Sequence, residues 1–97
     1  MLNNPIHKTL TASSGSVSTT FSTHGLCHQI LVKPTTSTTG YDLSITDSSS
    51  LVIFNRTDEV GTLNDLLTLP LSGIYTVSID NATIDEAFDV LVVVRNS

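Results

Sequence analysis

The sequence predicts an all-β fold: a single antiparallel β-sandwich, jelly-roll or Ig-like, of about seven to eight short strands. Three observations carry this expectation. Apolar and polar residues alternate with a period of two in one segment after another. Ser, Gly, Asn and Asp clusters punctuate the chain at the spacing of about 8–12 residues usual in sandwiches. No segment sustains a helical period.

The elements follow in order. "IHKTLTA" (6–12) sets Ile6, Lys8, Leu10 and Ala12 against His7, Thr9 and Thr11. "SSG" (13–15) is a turn signal. "SVSTTFS" (16–22) alternates Val17, Thr19 and Phe21 with hydroxyls, so the two segments read as a hairpin. "THG" (23–25) breaks the pattern. "LCHQILVKP" (26–34) is the next strand, ended by Pro34, which cannot donate a ladder hydrogen bond. "TTSTTG" (35–40) is a polar loop. "YDLSITD" (41–47) places Tyr41, Leu43 and Ile45 inside, and Asp42, Ser44 and Thr46 outside. After "SSS" (48–50), "LVIFNR" (51–56) is a nearly continuous apolar strand.

"TDEVGTLNDLLTLP" (57–70) reads either as a capped helical turn or as a loop. The loop, followed by a short strand at "LLTLP", is favoured. "SGIYTVSID" (72–80) is a strand with Tyr75, Val77 and Ile79 on one face. "NATIDE" (81–86) turns, and "AFDVLVVVR" (87–95) closes the chain with Phe88, Val90, Val92 and Val94 on one face. The predicted core is Leu10, Val17, Phe21, Ile30, Val32, Tyr41, Leu43, Ile45, Val52, Phe54, Tyr75, Val77, Ile79, Phe88, Val90 and Val92.

Composition narrows the function classes. Ninety-seven residues make one domain, and a chain of that size buries roughly 60–68% of its unfolded surface. Charged residues are only 13%, while 13 Ser and 15 Thr supply the polarity. The net charge is −5, and the cations Lys8, Lys33, Arg56 and Arg95 are scattered. A nucleic-acid binder needs clustered cations to neutralise phosphates, so no nucleic-acid partner is expected. One cysteine cannot form an internal disulfide. The N-terminus lacks a basic region followed by an apolar run, so no signal peptide is expected. The longest apolar stretch, "VLVVV" at 90–94, is too short for a bilayer.

Candidate chemistry is thin. "HGLCH" (24–28) gathers His24, Cys27 and His28. A structural zinc needs four ligands, and adjacent strand residues such as Cys27 and His28 point to opposite faces. A nucleophilic Cys27 would need a base and a third orienting group. The simpler expectation is a strand entrance: a turn at Gly25, a buried face starting at Leu26 or Cys27, and exposed histidines. Asp80, Asp85 and Glu86 in "DNATIDE", and Asp58 and Glu59 in "TDEV", offer oxygens but no EF-hand spacing. Both read as solvated turns. Paired carboxylates for glycoside hydrolysis fall in turns or on outward positions. Trp is absent and aromatics are 5%, so a sugar groove is disfavoured. The five glycines never form a phosphate loop. No catalytic, cofactor-binding or metal residues are assigned. Residues 1–7 are set apart as an N-terminal arm ahead of a domain spanning 8–97, either a free end or a segment ordered on a partner.

"KTLTASSGSVSTTF", "KPTTSTTGYDLSITD" and "GTLNDLLTLPLSGIYTVSIDNA" together resemble the small β-sandwich virion proteins of tailed bacteriophages, which decorate or cement the capsid. The similarity is one of cadence over about residues 8–94. It implies a non-enzymatic structural protein bound to the outside of the capsid. Its implied partner is the phage major capsid protein, and its implied location is the virion exterior after synthesis in the host cytoplasm. Bound copies would bridge capsomers and self-associate, as a homotrimer about a local three-fold axis. The implied contact residues are Leu2, Asn3, Asn4, Pro5 and Ile6, with one edge strand. The alternatives are a neck, collar or tail-fibre adaptor of the same fold, or a small ligand-binding β-module for sugar or calcium.

Overall fold

The structure is a computed structural model that describes the backbone of residues 2–96 and the side chains of residues 5–95. Those residues form six strands: β1 (Leu2–Ala12), β2 (Val17–Pro34), β3 (Gly40–Asp47), β4 (Val52–Val60), β5 (Leu63–Asp80) and β6 (Glu86–Asn96). All neighbours pair antiparallel, in the order β1-β6-β2-β5-β3-β4. The all-β, antiparallel expectation holds.

The strand count is six rather than seven or eight because two expected breaks are bends. Segments 16–22 and 26–34 are one strand, β2. The short strand expected at "LLTLP" and the one at 72–80 are likewise one strand, β5, which starts back at Leu63. Two glycines let these strands turn without ending. Gly25 has φ +148° and Gly73 has φ +115°, values that side chains rarely allow. They stand close together in the ladder, where Thr23 pairs with Gly73 and Gly25 with Leu71.

The expected hairpin between 6–12 and 16–22 does not form. β1 runs beside β6 over its whole length, from Leu2↔Asn96 to Ala12↔Glu86. The turn after Ala12 instead docks on the β5–β6 loop. Ala82 N donates to Gly15 O (2.9 Å) and Asp85 N to Ala12 O (2.8 Å). Local turn chemistry was legible, but it marks a corner and not a hairpin.

The bent ladder divides the sheet in two. The terminal half holds β1, β6, the later part of β2 and the earlier part of β5. The central half holds the earlier part of β2, the later part of β5, β3 and β4. Both halves line one buried cluster: Leu10, Ile30, Val32, Phe88, Val90, Val92 and Val94 from the terminal half; Phe21, Tyr41, Leu43, Ile45, Phe54, Tyr75, Val77 and Ile79 from the central half. Tyr41 of β3 meets Phe88 of β6 edge-on, centroids 5.1 Å apart. The Tyr41 hydroxyl donates to Gly61 O at 2.7 Å. Burial, then the nearby Glu59 charge, push its pKa up to about 12.

Most of the predicted core is buried. Val17 is only half-buried against the cluster, and Val52 is 58% exposed, because a register shift between Ile45 and Thr46 turns it outward. Ala12, Leu63 and Leu71 are buried outside that set, and of the two residues expected to start the buried face of 26–34, Cys27 is the buried one. Leu63 was hidden in the stretch read as a loop.

Candidate binding surface

"HGLCH" is the inside of a bend, not the entrance to a strand. Cys27 pairs with Leu69 and Val94, but Gln29 pairs with Leu66 and Val93. His28 is therefore the extra residue of a bulge against β6. Cys27 is fully buried, and its thiol donates to Gln29 O at 3.6 Å. Burial raises its pKa, partly opposed by that bond. Such a thiol is inert. His24 lies outside, with Nδ1 3.1 Å from Ser72 Oγ. The Tyr75 hydroxyl beside them is held by Ser72, accepting from its N–H (2.7 Å) and donating to its carbonyl (3.2 Å). Among the described residues no group of three or more His, Cys, Asp or Glu is placed to hold a metal.

The acidic turns also differ in detail from expectation. Glu86 is buried rather than solvated. It accepts from Thr36 N (2.6 Å) and Thr36 Oγ1 (3.2 Å), which pins the 35–39 loop to β6. Asp42 faces Asp80 in the ladder and accepts from Asp58 N (2.8 Å) and Asn81 Nδ2 (2.6 Å). Those bonds, the backbone one first, lower its pKa.

The residues expected as an arm are the first part of β1. Leu2, Asn3, Asn4, Pro5 and Ile6 stand opposite Asn96, Arg95, Val94, Val93 and Val92. β1 is an edge strand, which suits Pro5 because an edge proline leaves no ladder donor missing.

Pro5 leads to the most distinctive surface of the molecule, the outward side of the terminal half. Three cross-strand rows build it, read from the registers of β1, β6, β2 and β5. The first row is Pro5, Val93, Gln29 and Leu66. The second is His7, Leu91, Leu31 and Asn64. The third is Thr9, Asp89 and Lys33. Its centre is apolar. Val93 is only 9% exposed although it lies outside the core cluster, and Leu66 is 77% exposed. A trough of about 320 Å³ runs between Pro5, His7, Leu31, Lys33, Asp89 and Leu91.

The rim is polar and ordered. Asp89 Oδ1 accepts from Thr9 Oγ1 (3.0 Å) and lies 3.1 Å from His7 Nε2. These bonds come first in holding its pKa down, with the His7 and Lys33 charges helping. Gln29 Nε2 donates to Asn64 Oδ1 at 2.9 Å. An apolar centre inside a polar rim is the anatomy of a recognition surface. Sequence reading missed it because only the inward residues were sought. The outward apolar residues Leu31, Leu91 and Val93 were the available signal.

No protein-family model matches the chain, and no curated protein matches it. Among solved structures, the chain is similar to the crystal structure of Aeromonas hydrophila PliG, a periplasmic lysozyme inhibitor of g-type lysozyme. The TM-score is 0.53 at 13% identity, covering 94% of this chain and 85% of that one. Identity that low shows a shared fold alone. It nevertheless corrects the capsid-cement expectation. The structural likeness found is to a lysozyme inhibitor, and it lends no support to a virion role. The strand-and-turn cadence behind that expectation is what an antiparallel fold of this kind produces by itself. The capsid partner and virion location were implied by the same cadence and have no other support in the molecule.

Proposed function

We propose that this chain is a small, non-enzymatic binding module that holds a protein partner against the outward side of the terminal half. Its two half-sheets enclose one core in the manner of a β-sandwich. The observation that carries the reading is the apolar trough between Pro5, His7, Leu31, Lys33, Asp89 and Leu91, with its ordered polar rim, on the outer face of the terminal half. The rim fixes Asp89 in place, so the surface is preorganised and little ordering entropy opposes binding.

The likeness to PliG suggests a g-type lysozyme as the first partner to test. Lysis of peptidoglycan by such an enzyme would be followed while the chain is titrated in. We expect dose-dependent inhibition, and loss of inhibition in a folded L31D/L91D double variant. Lysis unaffected by the chain at high excess overturns the lysozyme as partner. Inhibition undiminished in the double variant overturns the surface.

A further inference from the structure

The terminal-half surface is complementary to itself. Lys33 of β2 and Asp89 of β6 are direct cross-strand neighbours in one row, and Leu31 and Leu91 are neighbours in the next. Consider a two-fold axis lying in the surface, parallel to the strands and midway between β2 and β6. It exchanges the positions of those two strands, so that β6 of one copy lies over β2 of the other. Asp89 then meets Lys33 of the second copy, and Lys33 meets its Asp89, giving four alternating charges. The same operation lays Leu91 on Leu31 and Pro5 on Leu66.

We propose that this surface takes a second copy of the chain, forming a two-fold dimer closed by the Lys33–Asp89 exchange. The inference rests on reading the outward terminal-half side as the binding surface, but not on any lysozyme. The charges support this occupant. Within one copy both intramolecular bonds to Asp89 fall on Oδ1, leaving Oδ2 for a lysine arriving from the facing copy. The rest of the row is neutral. A two-fold interface needs such self-complementarity, each residue meeting its opposite number twice. Size sets the strength. Four strands about 4.8 Å apart and three outward rows give roughly 400 Å² per copy once side-chain width is included. The two-copy total lies below the roughly 1,200 Å² of a standard specific interface. The dimer is therefore weak and concentration-dependent. It competes with a foreign partner for the surface, so the module is released to bind as it is diluted.

Sedimentation velocity from micromolar to millimolar concentration tests this. The weight-average mass is expected to climb from the 10.4 kDa monomer towards twice that value. K33E or D89K alone places like charges face to face and should weaken association at least tenfold. The K33E/D89K double variant restores the alternation and should recover most of it. Added salt should weaken the native dimer. A chain that stays monomeric throughout overturns the inference. So does a dimer in which either single reversal is silent, or in which the double variant fails to recover while circular dichroism shows it folded. A monomeric chain that still inhibits lysozyme would lose the dimer and keep the binding module. A dimer without inhibition would do the reverse.

Discussion

The terminal and central halves bury the same kind of face and present opposite ones to solvent. Inside, both contribute branched aliphatic and aromatic residues to one cluster. Outside, the terminal half shows Pro5, Leu31, Leu66, Leu91 and Val93. The matching positions of the central half carry mostly hydroxyls, Ser18, Thr20 and Ser22 on β2, Ser78 and Thr76 on β5, and Ser44 and Thr46 on β3, with Ile74 and Val52 as separate apolar exceptions. Ser and Thr keep strand propensity while binding water, so the central half satisfies the fold without inviting a partner. Six of the nine carboxylates also lie in the central half or its loops: Asp42, Asp47, Asp58, Glu59, Asp80 and Asp85. The difference separates what the fold requires from what is added to it. Two inner faces suffice for stability, so the apolar outer face needs another explanation, and recognition supplies one.

The comparison depends on the halves sharing one core, and its sharpest test removes their mutual contact. Phe88→Ala deletes the ring against Tyr41 and should destabilise by about 3–5 kcal/mol in urea unfolding. A loss under about 1 kcal/mol would mean that the halves are not packed together there. The bend comes next. A Cβ on Gly25 would lie 2.7 Å from Arg95 O and 2.8 Å from Val94 Cγ1, while one on Gly73 meets nothing within 4 Å. Gly25→Ala adds a clash to backbone strain and should cost about 3 kcal/mol, whereas Gly73→Ala bears strain alone at about 1 kcal/mol. Equal effects would show that the close approach of β6 to the bend does not matter.

These bends also explain how much was legible in the sequence. The period of two revealed which residues face inward, because burial acts on side chains one at a time. Thus Tyr41, Leu43, Ile45, Val77 and Ile79 were placed correctly. Strand ends were not legible. A glycine inside a strand and a glycine ending one look alike locally, so "THG" was read as a break where Gly25 is a bend. Pairing was not legible either. The β1–β6 ladder joins residues 74 to 94 positions apart, and no local signal records it. The candidate surface was half legible. Leu31, Leu91 and Val93 stood in plain view as extra apolar residues. Their convergence with Pro5 and Leu66 depends on strand order, which alternation does not encode.

Exchanging outer chemistry sharpens the contrast at smaller energies. Leu91→Ser on the terminal half and Thr76→Val on the central half should each change unfolding stability by no more than about 1 kcal/mol, since neither side chain belongs to the core. Their effects on association should differ completely. L91S should abolish both self-association and partner binding, and T76V should alter neither. If T76V proved as disruptive as L91S, the two faces would not be functionally distinct.

The smallest expected effect concerns acid. Asp42 on the central half and Asp89 on the terminal half both have pKa values below the ordinary 3.8. A carboxylate with a depressed folded pKa lends stability above its unfolded value, and that stability is lost as pH falls through the folded one. Both groups are exposed, so each contributes modestly and salt screens it. The halves should nonetheless respond differently. Asp42 ties Asp58 and Asn81 together, two residues in left-handed backbone conformations at φ 57° and 54°. Asp42→Asn should therefore flatten the acid limb of the stability curve below pH 3.8 and leave self-association at neutral pH intact. Asp89→Asn should flatten the same limb but also weaken self-association at neutral pH, because it removes the charge that meets Lys33 of the facing copy. Equal association in the two variants would confine Asp89 to holding Thr9 and His7 within its own chain, and the rim of the surface would then be structural.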